Sequence, residues 1–238
     1  MLLAIDTATD SASVALGMVG SEPLEENMAG ARRHAAGLLP MIQRLLGRAG
    51  ASLDEVTGIV LSDGPGSFTG LRVGASVAKA LVHARSLPLW VAPSLQARAA
   101  GVAAPGKVVL AVSSALRGEV YAAAYRFLPD RISTELAPSV RRPTDLIGSG
   151  LEPHIIVGEA PVDILAVLEQ WGGRPVTGPP AGSPRASQLL ALVGQAGGAR
   201  LVEVAAAWEP VYGRPAEAQA RWESAHGRRL PDSVGSPG

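Results

Sequence analysis

The sequence LLAIDTATDSASVAL, residues 2–16, places two apolar runs on either side of the short polar turn DTATD. The first run predicts a buried strand over residues 2–6 and the second predicts a strand over residues 12–19, so a β-hairpin is expected. Asp6 ends the first strand and Thr7 follows it. An aspartate in this position either bonds to the backbone of its own turn or faces a cleft. The hairpin therefore marks the first place to look for a functional site.

Alternating strands and helices continue after the hairpin. Residues 24–29 predict a weak third strand, and an apolar period of 3.6 residues predicts a helix over residues 32–49, kinked at Pro40. A second helix is expected to begin at a cap formed by Ser67 or Thr69 and to run to about residue 84. The other elements of this half are two strands and a short helix, over residues 57–62, 87–92 and 94–101.

A similar order of elements begins again after the segment APGK at residues 104–107. Strands and helices are predicted there over residues 108–113, 119–127, 132–136, 143–148, 154–159, 161–171, 174–178 and 185–197. The repeated order predicts an α/β protein with two lobes of βββαβαβα topology, which is the actin-like ATPase (ASKHA, ribonuclease H-like) fold. We expect an N-terminal lobe over residues 1–104 and a C-terminal lobe over residues 105–215. Residues 216–238 are polar and rich in Gly, Pro and Ser, which predicts a disordered tail.

Composition excludes several classes of protein. The 238 residues contain 21 Lys and Arg against 21 Asp and Glu, so no overall field attracts nucleic acid or an anionic membrane. Cysteine is absent, which excludes disulfides and thiolate metal sites and fits a cytoplasmic protein. The N-terminus lacks the basic region of a signal peptide, and no apolar run is long enough to cross a membrane.

Two glycine-rich motifs resemble nucleotide-binding loops without meeting their requirements. Gly64, Gly66 and Gly70 follow a predicted strand, but residues 64–118 contain no acid that could bind a ribose, so a Rossmann site is rejected. The segment GVAAPGK, residues 101–107, precedes a strand instead of a helix and is rejected as a P-loop. The loop GPGSFTG could still bind a phosphate, although a tight strand-to-helix turn is the more common use of such glycines.

A vestigial nucleotide cleft is the candidate cofactor site, and we assign it Asp6, Thr7, Gly64 and Gly66. A working phosphate hairpin prefers glycine in its turn, whereas Ala8 is found here. No metal site is predicted, because no two of the four histidines are four residues apart. No catalytic residue is assigned, and an ATPase or phosphotransferase of the same fold is the alternative function.

The first two helices are the candidate partner interface. Small residues recur every four positions on the second helix and let another backbone approach closely. The neighbour is by default this protein's own sheet, and the alternative is another subunit. The residues assigned to the interface are Leu38, Ile42, Leu45, Gly70, Arg72, Gly74 and Ala78.

Residues 64–118 carry positive charge only. Their basic residues are Arg72, Lys79, His83, Arg85, Arg98, Lys107 and Arg117. This set could favour RNA or an acidic partner, although scattered, solvated positive charges are the more common outcome.

Several segments together resemble the TsaB family, also called YeaZ. They are LLAIDTATDSASVAL, HAAGLLPMIQRLL, GPGSFTGLRVG, LPLWVAPSL, RGEVYAAAY and EPVY, which follow one another over residues 1–213. The resemblance implies an actin-like fold and a role in forming the threonylcarbamoyl group on the tRNA adenosine beside the anticodon. The family's usual Asp-Ala-Arg is Ser114, Ala115 and Leu116 here, so any role of that carboxylate is not carried over.

The resemblance also implies that the chain is not an enzyme by itself. TsaB is the noncatalytic relative of TsaD, whose metal-binding His-x-x-x-His aligns with Ser94 and Arg98. Neither residue is such a ligand, which argues against transferase and metallopeptidase chemistry. The implied partners are a TsaD-like catalytic subunit, with which the chain dimerises, a TsaE-like ATPase, and tRNA through the complex. The free protein could form a homodimer or remain a monomer, and both alternatives stay open. ATP or ADP and metal are expected on the partner subunits.

Overall fold

The computed structural model describes residues 1–30, 34–115 and 118–213, together with residue 226. It contains two β-sheets with helices between them and on their outer faces. The strands are β1 Leu2–Asp6, β2 Ser11–Gly17, β3 Leu24–Ala29, β4 Gly58–Ser62, β5 Leu89–Ala92, β6 Val108–Ser114, β7 Val120–Phe127, β8 Ile132–Arg141, β9 Ile155–Gly158 and β10 Arg200–Leu201. The helices are α1 His34–Ala49, α2 Phe68–Arg85, α3 Ser94–Ala100, α4 Pro143–Ile147, α5 Val162–Gly172 and α6 Ala186–Leu192.

Four neighbouring strands of the first sheet have the same order as the four strands of the second. In the first sheet, β1, β2 and β3 are antiparallel neighbours, and β4 and β5 extend the sheet in parallel from β1. In the second sheet, β6, β7 and β8 repeat the antiparallel arrangement and β9 lies parallel to β6. This duplicated order is that of the actin-like ATPase fold, as the sequence predicts.

Helices α1 and α2 cover the outer face of the first sheet. Leu38, Leu45 and Ala78 are buried against Ile5 and Leu61 of the sheet. Full burial of one such leucine stabilises the fold by about 1.5–3 kcal/mol relative to exposure. This face is therefore the core of the N-terminal half.

A second apolar core joins the two halves. Val60 of β4 and Ala111 of β6 belong to one buried cluster, to which α3 and α6 contribute Leu95 and Leu189. Helix α6 packs on β1 and β2 although it lies far along the chain, and β10 pairs antiparallel with β5. The segment after α5 therefore returns to the first sheet. The division of the chain at residue 104 stays a prediction.

Three elements differ from expectation. Strand β8 extends to Arg141 because its whole length pairs with β7, despite a polar and half-exposed sequence. Residues 174–178 form no named strand, since only Thr177 makes a bridge there, to Val157. The two-residue β10 has no signal in the sequence.

Pro40 lies inside α1, and the predicted tail, apart from residue 226, lies outside the described residues. In the part of the chain that the structure describes, no helix combines the length and the apolar composition needed to cross a membrane.

Candidate functional site

The hairpin between β1 and β2 holds its own turn together. Asp6 and Thr7 are fully buried, and Oδ1 of Asp6 accepts a hydrogen bond from the Ala8 amide at 3.0 Å. Asp6 is therefore the turn-capping aspartate that its position allows. Its other oxygen, Oδ2, is buried without a hydrogen-bond partner among the described residues.

Burial raises the pKa of Asp6 from 3.8 to about 6. The hydrogen bond from Ala8, the Ser62 hydroxyl and the positive charge of Arg98 act in the opposite direction, and the charge of Glu25 adds slightly to the rise. The Ser62 hydroxyl lowers the pKa of Asp6, although its oxygen has no hydrogen-bond partner of normal geometry in the described part of the chain. Asp6 is thus a desolvated carboxyl group that stays protonated to a higher pH than an exposed aspartate does.

The glycine-rich loop closes over this hairpin. The Ser67 amide donates to the Ala8 carbonyl at 2.7 Å, and the Ser67 hydroxyl caps α2 by accepting from the Gly70 amide. A Cβ atom on Gly66 would lie 2.3 Å from the Ala8 carbonyl oxygen, and one on Gly70 would lie 2.1 Å from that of Thr7. These glycines therefore bring the start of α2 into direct contact with the hairpin.

The four residues assigned to the nucleotide cleft are only partly brought together. Gly66 contacts the hairpin that carries Asp6 and Thr7, whereas Gly64 faces the carbonyl of Val211, where an added Cβ would lie 2.1 Å away. The loop meets protein backbone at each of these positions. Nucleotide binding at this cleft stays a prediction.

A second buried carboxylate, missed by the sequence analysis, follows β4. Burial raises the pKa of Asp63 to about 6, and the guanidinium of Arg200 opposes the rise with its Nη2 atom 3.1 Å from Oδ2. The Asp63 carbonyl accepts from the Val211 amide at 2.7 Å. The available signal was an aspartate directly after a buried parallel strand, where side chains of such sheets converge.

Arg98 connects α3 to the second sheet. Its Nη1 donates to the Val112 carbonyl at 3.0 Å, and its Nη2 lies 2.8 Å from Oε1 of Glu159. Ser94, one turn earlier, donates its hydroxyl to the Pro65 carbonyl. Both side chains therefore have structural partners. Ser114 ends β6 with an exposed side chain, and Leu116 lies outside the described residues.

Metal ligands are not gathered at one place. The residues that the structure describes contain no group of three His, Asp or Glu side chains close enough to hold a metal ion. The guanidinium of Arg98 acts on Asp6 in the hairpin, which disfavours a further cation.

Most residues assigned to the partner interface lie in the core. The side chains of Leu38, Ile42, Leu45 and Ala78 pack on the first sheet because the helices present their apolar stripes to it. Gly70 and Gly74 contact the carbonyl and the hydroxyl of Thr7. These six residues pack within the protein itself, as in the default hypothesis that the two helices cover their own sheet. A partner contact on these two helices stays a prediction. Of the seven, Arg72 alone is exposed.

Arg72 belongs to a surface cluster that the sequence analysis did not identify. Its guanidinium carbon lies 4.4 Å from the ring centre of Phe68 and 6.0 Å from that of Tyr212. The two rings are 4.7 Å apart and tilted by 44°. Arg72 Nε also donates to the Tyr212 hydroxyl at 3.4 Å. We call Phe68, Arg72 and Tyr212 the Arg72 cluster.

The chain was compared with known proteins. Residues 28–164 match the family model described as "TsaD: tRNA N6-adenosine threonylcarbamoyltransferase". The protein named "tRNA threonylcarbamoyladenosine biosynthesis protein TsaB" from Escherichia coli K12 is 38% identical over 127 residues, which are 52% of this chain and 54% of that protein. A protein of the same name from Bacillus subtilis is 29% identical over 126 residues, covering 53% of this chain and 55% of that protein. The chain thus spans about half the length of the curated relatives it matches.

Two solved structures cover much more of the chain. The structure titled "YeaZ from Pseudomonas aeruginosa" has a TM-score of 0.67 and 30% identity, over 81% of this chain and 90% of that chain. A second structure is titled as an uncharacterized protein with similarity to peptidase YEAZ from the same species. It has a TM-score of 0.73 and 29% identity, over 90% of this chain and 99% of that chain. The likeness therefore extends across both sheets.

Proposed function

The chain belongs to the TsaB/YeaZ family, and from this premise we propose that it is a noncatalytic, activating subunit of the assembly that adds the threonylcarbamoyl group to tRNA. The names of its relatives in Escherichia coli and Bacillus subtilis support the pathway. The chain would act by dimerising with a TsaD-like catalytic subunit. A TsaE-like ATPase and tRNA would join through that complex, in the cytoplasm, where tRNA is found.

One observation carries the noncatalytic part of the proposal. The two positions that align with the metal-binding histidines of the transferase are Ser94 and Arg98, and both are committed to other bonds. Ser94 donates to the Pro65 carbonyl, and Arg98 is ion-paired with Glu159. A guanidinium does not release its proton in proteins, so it cannot serve as a metal ligand in place of histidine. ATP or ADP and metal would accordingly be held by the partner subunits.

The buried hairpin also supports this proposal. In a phosphotransferase of this fold, catalysis needs carboxylates that reach the nucleotide's metal. Asp6 is fully buried, and its turn is occupied by Ala8 and the start of α2. The packing around Asp6 therefore favours the noncatalytic proposal over an ATPase.

Reconstitution tests the proposed function. The purified protein, the TsaD-like protein of the same cell and both together would be assayed with threonylcarbamoyl-adenylate, ATP and tRNA. We expect no turnover by this protein alone and at least about tenfold faster modification with both proteins than with the TsaD-like protein alone. Turnover by the pure protein that Asp6→Ala abolishes would overturn the proposal. Equal rates with and without it would overturn the activating role.

A further inference from the structure

We propose that the Arg72 cluster is an anchor for a carboxylate on the surface of a protein partner. The proposal rests on the proposed function, because the partner tested is the TsaD-like subunit. It adds the chemistry of the contact: an aspartate or glutamate side chain with an apolar neighbour, bound by one guanidinium that lies beside two aromatic rings.

The geometry of the cluster holds the guanidinium in place before any partner arrives. Phe68 lies beneath Arg72, and the Tyr212 hydroxyl accepts from Nε. Tyr212 itself is fixed, because its carbonyl accepts from the Tyr121 hydroxyl at 3.4 Å and the preceding Val211 amide bonds to Asp63. An arginine that is already ordered loses less side-chain entropy on binding than a free one.

The charge of Arg72 is not paired with any carboxylate that the structure describes. Three of the other basic side chains of the acid-free segment are paired in the structure: Lys79 with Glu209, Arg85 with Asp54 and Arg98 with Glu159. Among the described residues, Arg72 has no carboxylate within ion-pair distance, and its side chain is exposed. A carboxylate is the planar anion that a guanidinium binds through two parallel hydrogen bonds.

The same pairing favours a protein over RNA. Binding to RNA needs several unpaired cations that follow the phosphates, and in the described part of the same helix Lys79 and Arg85 are already paired with carboxylates. Aromatic residues and arginine are, in contrast, the types most enriched where protein interfaces are strongest. Phe68 is 37% exposed, so its ring also offers apolar area beside the charge.

Binding of the TsaD-like protein to charge variants tests the proposal by isothermal titration calorimetry. We expect Arg72→Glu to weaken binding about 30-fold or more, which corresponds to loss of an interface hot spot. Arg72→Lys should weaken it about tenfold, since lysine keeps the charge but not the planar fork. The matched control is Arg141→Glu, the same charge change on the exposed edge strand β8 of the other sheet, which should leave the dissociation constant within about twofold.

Each remaining outcome separates the two proposals. If the wild-type protein does not bind the TsaD-like protein at all, both the proposed function and the anchor are overturned. If it binds and Arg72→Glu binds equally well, the anchor alone is overturned. The anchor is also overturned if Arg141→Glu weakens binding of the TsaD-like protein as much as Arg72→Glu does. It is likewise overturned if Arg72→Glu reduces binding of tRNA by the pure protein and leaves binding of the TsaD-like protein unchanged. Circular dichroism and melting curves confirm that each variant is folded.

Discussion

The guanidinium of Arg98 lies 2.8 Å from the carboxylate of Glu159 and joins the helix that follows β5 to the loop that follows β9. The arginine side chain is 1% exposed and the glutamate side chain is 40% exposed. A second bond from Arg98, to the Val112 carbonyl, reaches the neighbouring strand β6. One buried cation therefore ties helix α3 to the second sheet, and its charge also lowers the pKa of Asp6.

Arg98→Ala should destabilise the protein. The substitution removes a buried side chain, leaves the Val112 carbonyl without its donor and leaves Glu159 unpaired, although Glu159 is hydrated enough to moderate the loss. We expect the free energy of unfolding to fall by about 2–4 kcal/mol, measured by urea denaturation. The matched control is Arg131→Ala, whose ion pair with Asp130 is exposed and worth less than about 1 kcal/mol. Equal losses for the two variants would contradict the role of Arg98.

Asp6→Asn should stabilise the protein at neutral pH. Asp6 has a pKa of about 6 in the fold against 3.8 when exposed, so the folded state holds the proton more tightly than the unfolded state. Its contribution to stability is complete below pH 3.8 and is lost as the pH rises through 6. At pH 7.5 the ionised group therefore lowers the free energy of unfolding by up to about 3 kcal/mol, which asparagine avoids.

Melting curves at two pH values measure this effect. We expect Asp6→Asn to raise the melting temperature by about 5 °C at pH 7.5 and by much less at pH 4.5. The pKa of Asp63 is also raised. Because Asp63 is present in both the wild type and the Asp6→Asn variant, its effect on the melting temperature cancels from the comparison. The exposed control Asp130→Asn should show no such difference between the two pH values. If Asp6→Asn raised the melting temperature equally at pH 7.5 and pH 4.5, this result would contradict the burial of an ionised carboxylate.

Gly74→Ala should destabilise the protein because the added methyl group would lie 2.4 Å from the Thr7 hydroxyl oxygen. We expect a loss of about 1–3 kcal/mol in the free energy of unfolding. Adding Thr7→Ala removes the hydroxyl and should recover part of the loss, a coupling that a double-mutant cycle measures. Gly47→Ala is the control, since the same change meets nothing within 4 Å in the exposed part of α1 and should stabilise by about 0.5–1 kcal/mol.

Much of the fold could be predicted from the order of apolar runs. The residues of β1, β4 and β6 are almost entirely apolar because each lies in the middle of a buried sheet, and their run lengths identify them. Strand β10 could not be found, since Arg200 and Leu201 have no pattern of their own and pair with β5 only after the chain returns from α6. Local sequence carries no information about such a return.

The candidate site was less predictable than the fold. The contact between the glycine loop and the hairpin has a sequence signal, namely glycines where backbones approach closely, but the signal does not say which backbone approaches. The Arg72 cluster joins residues 140 positions apart, Arg72 and Tyr212, and only tertiary structure brings them together. The interface assignment stays a prediction, and most of its residues are buried for a related reason: the apolar stripe of a helix packs on the protein's own sheet.

The exposed side of α1 now offers the sharper test of a partner contact on the first two helices. Leu39 is 52% exposed and adjacent to the buried Leu38, whereas Ile42 is 3% exposed in the core. Ile42→Glu should therefore unfold the protein or destabilise it by about 3–5 kcal/mol, because it buries an unpaired charge. Leu39→Glu should keep the far-UV circular dichroism and the melting temperature of the wild type, since its carboxylate stays hydrated.

If α1 contributes to the contact, Leu39→Glu should weaken binding of the TsaD-like protein about tenfold or more in titration calorimetry, because the new charge is desolvated at an apolar interface. Gln43→Glu, four residues along α1 and also exposed, introduces the same charge without removing apolar area and is the matched control. A loss confined to Leu39→Glu means that apolar packing carries the contact, and equal losses mean that charge does. Native affinity of folded Leu39→Glu would remove α1 from the interface and leave the Arg72 cluster to be judged by its own variants.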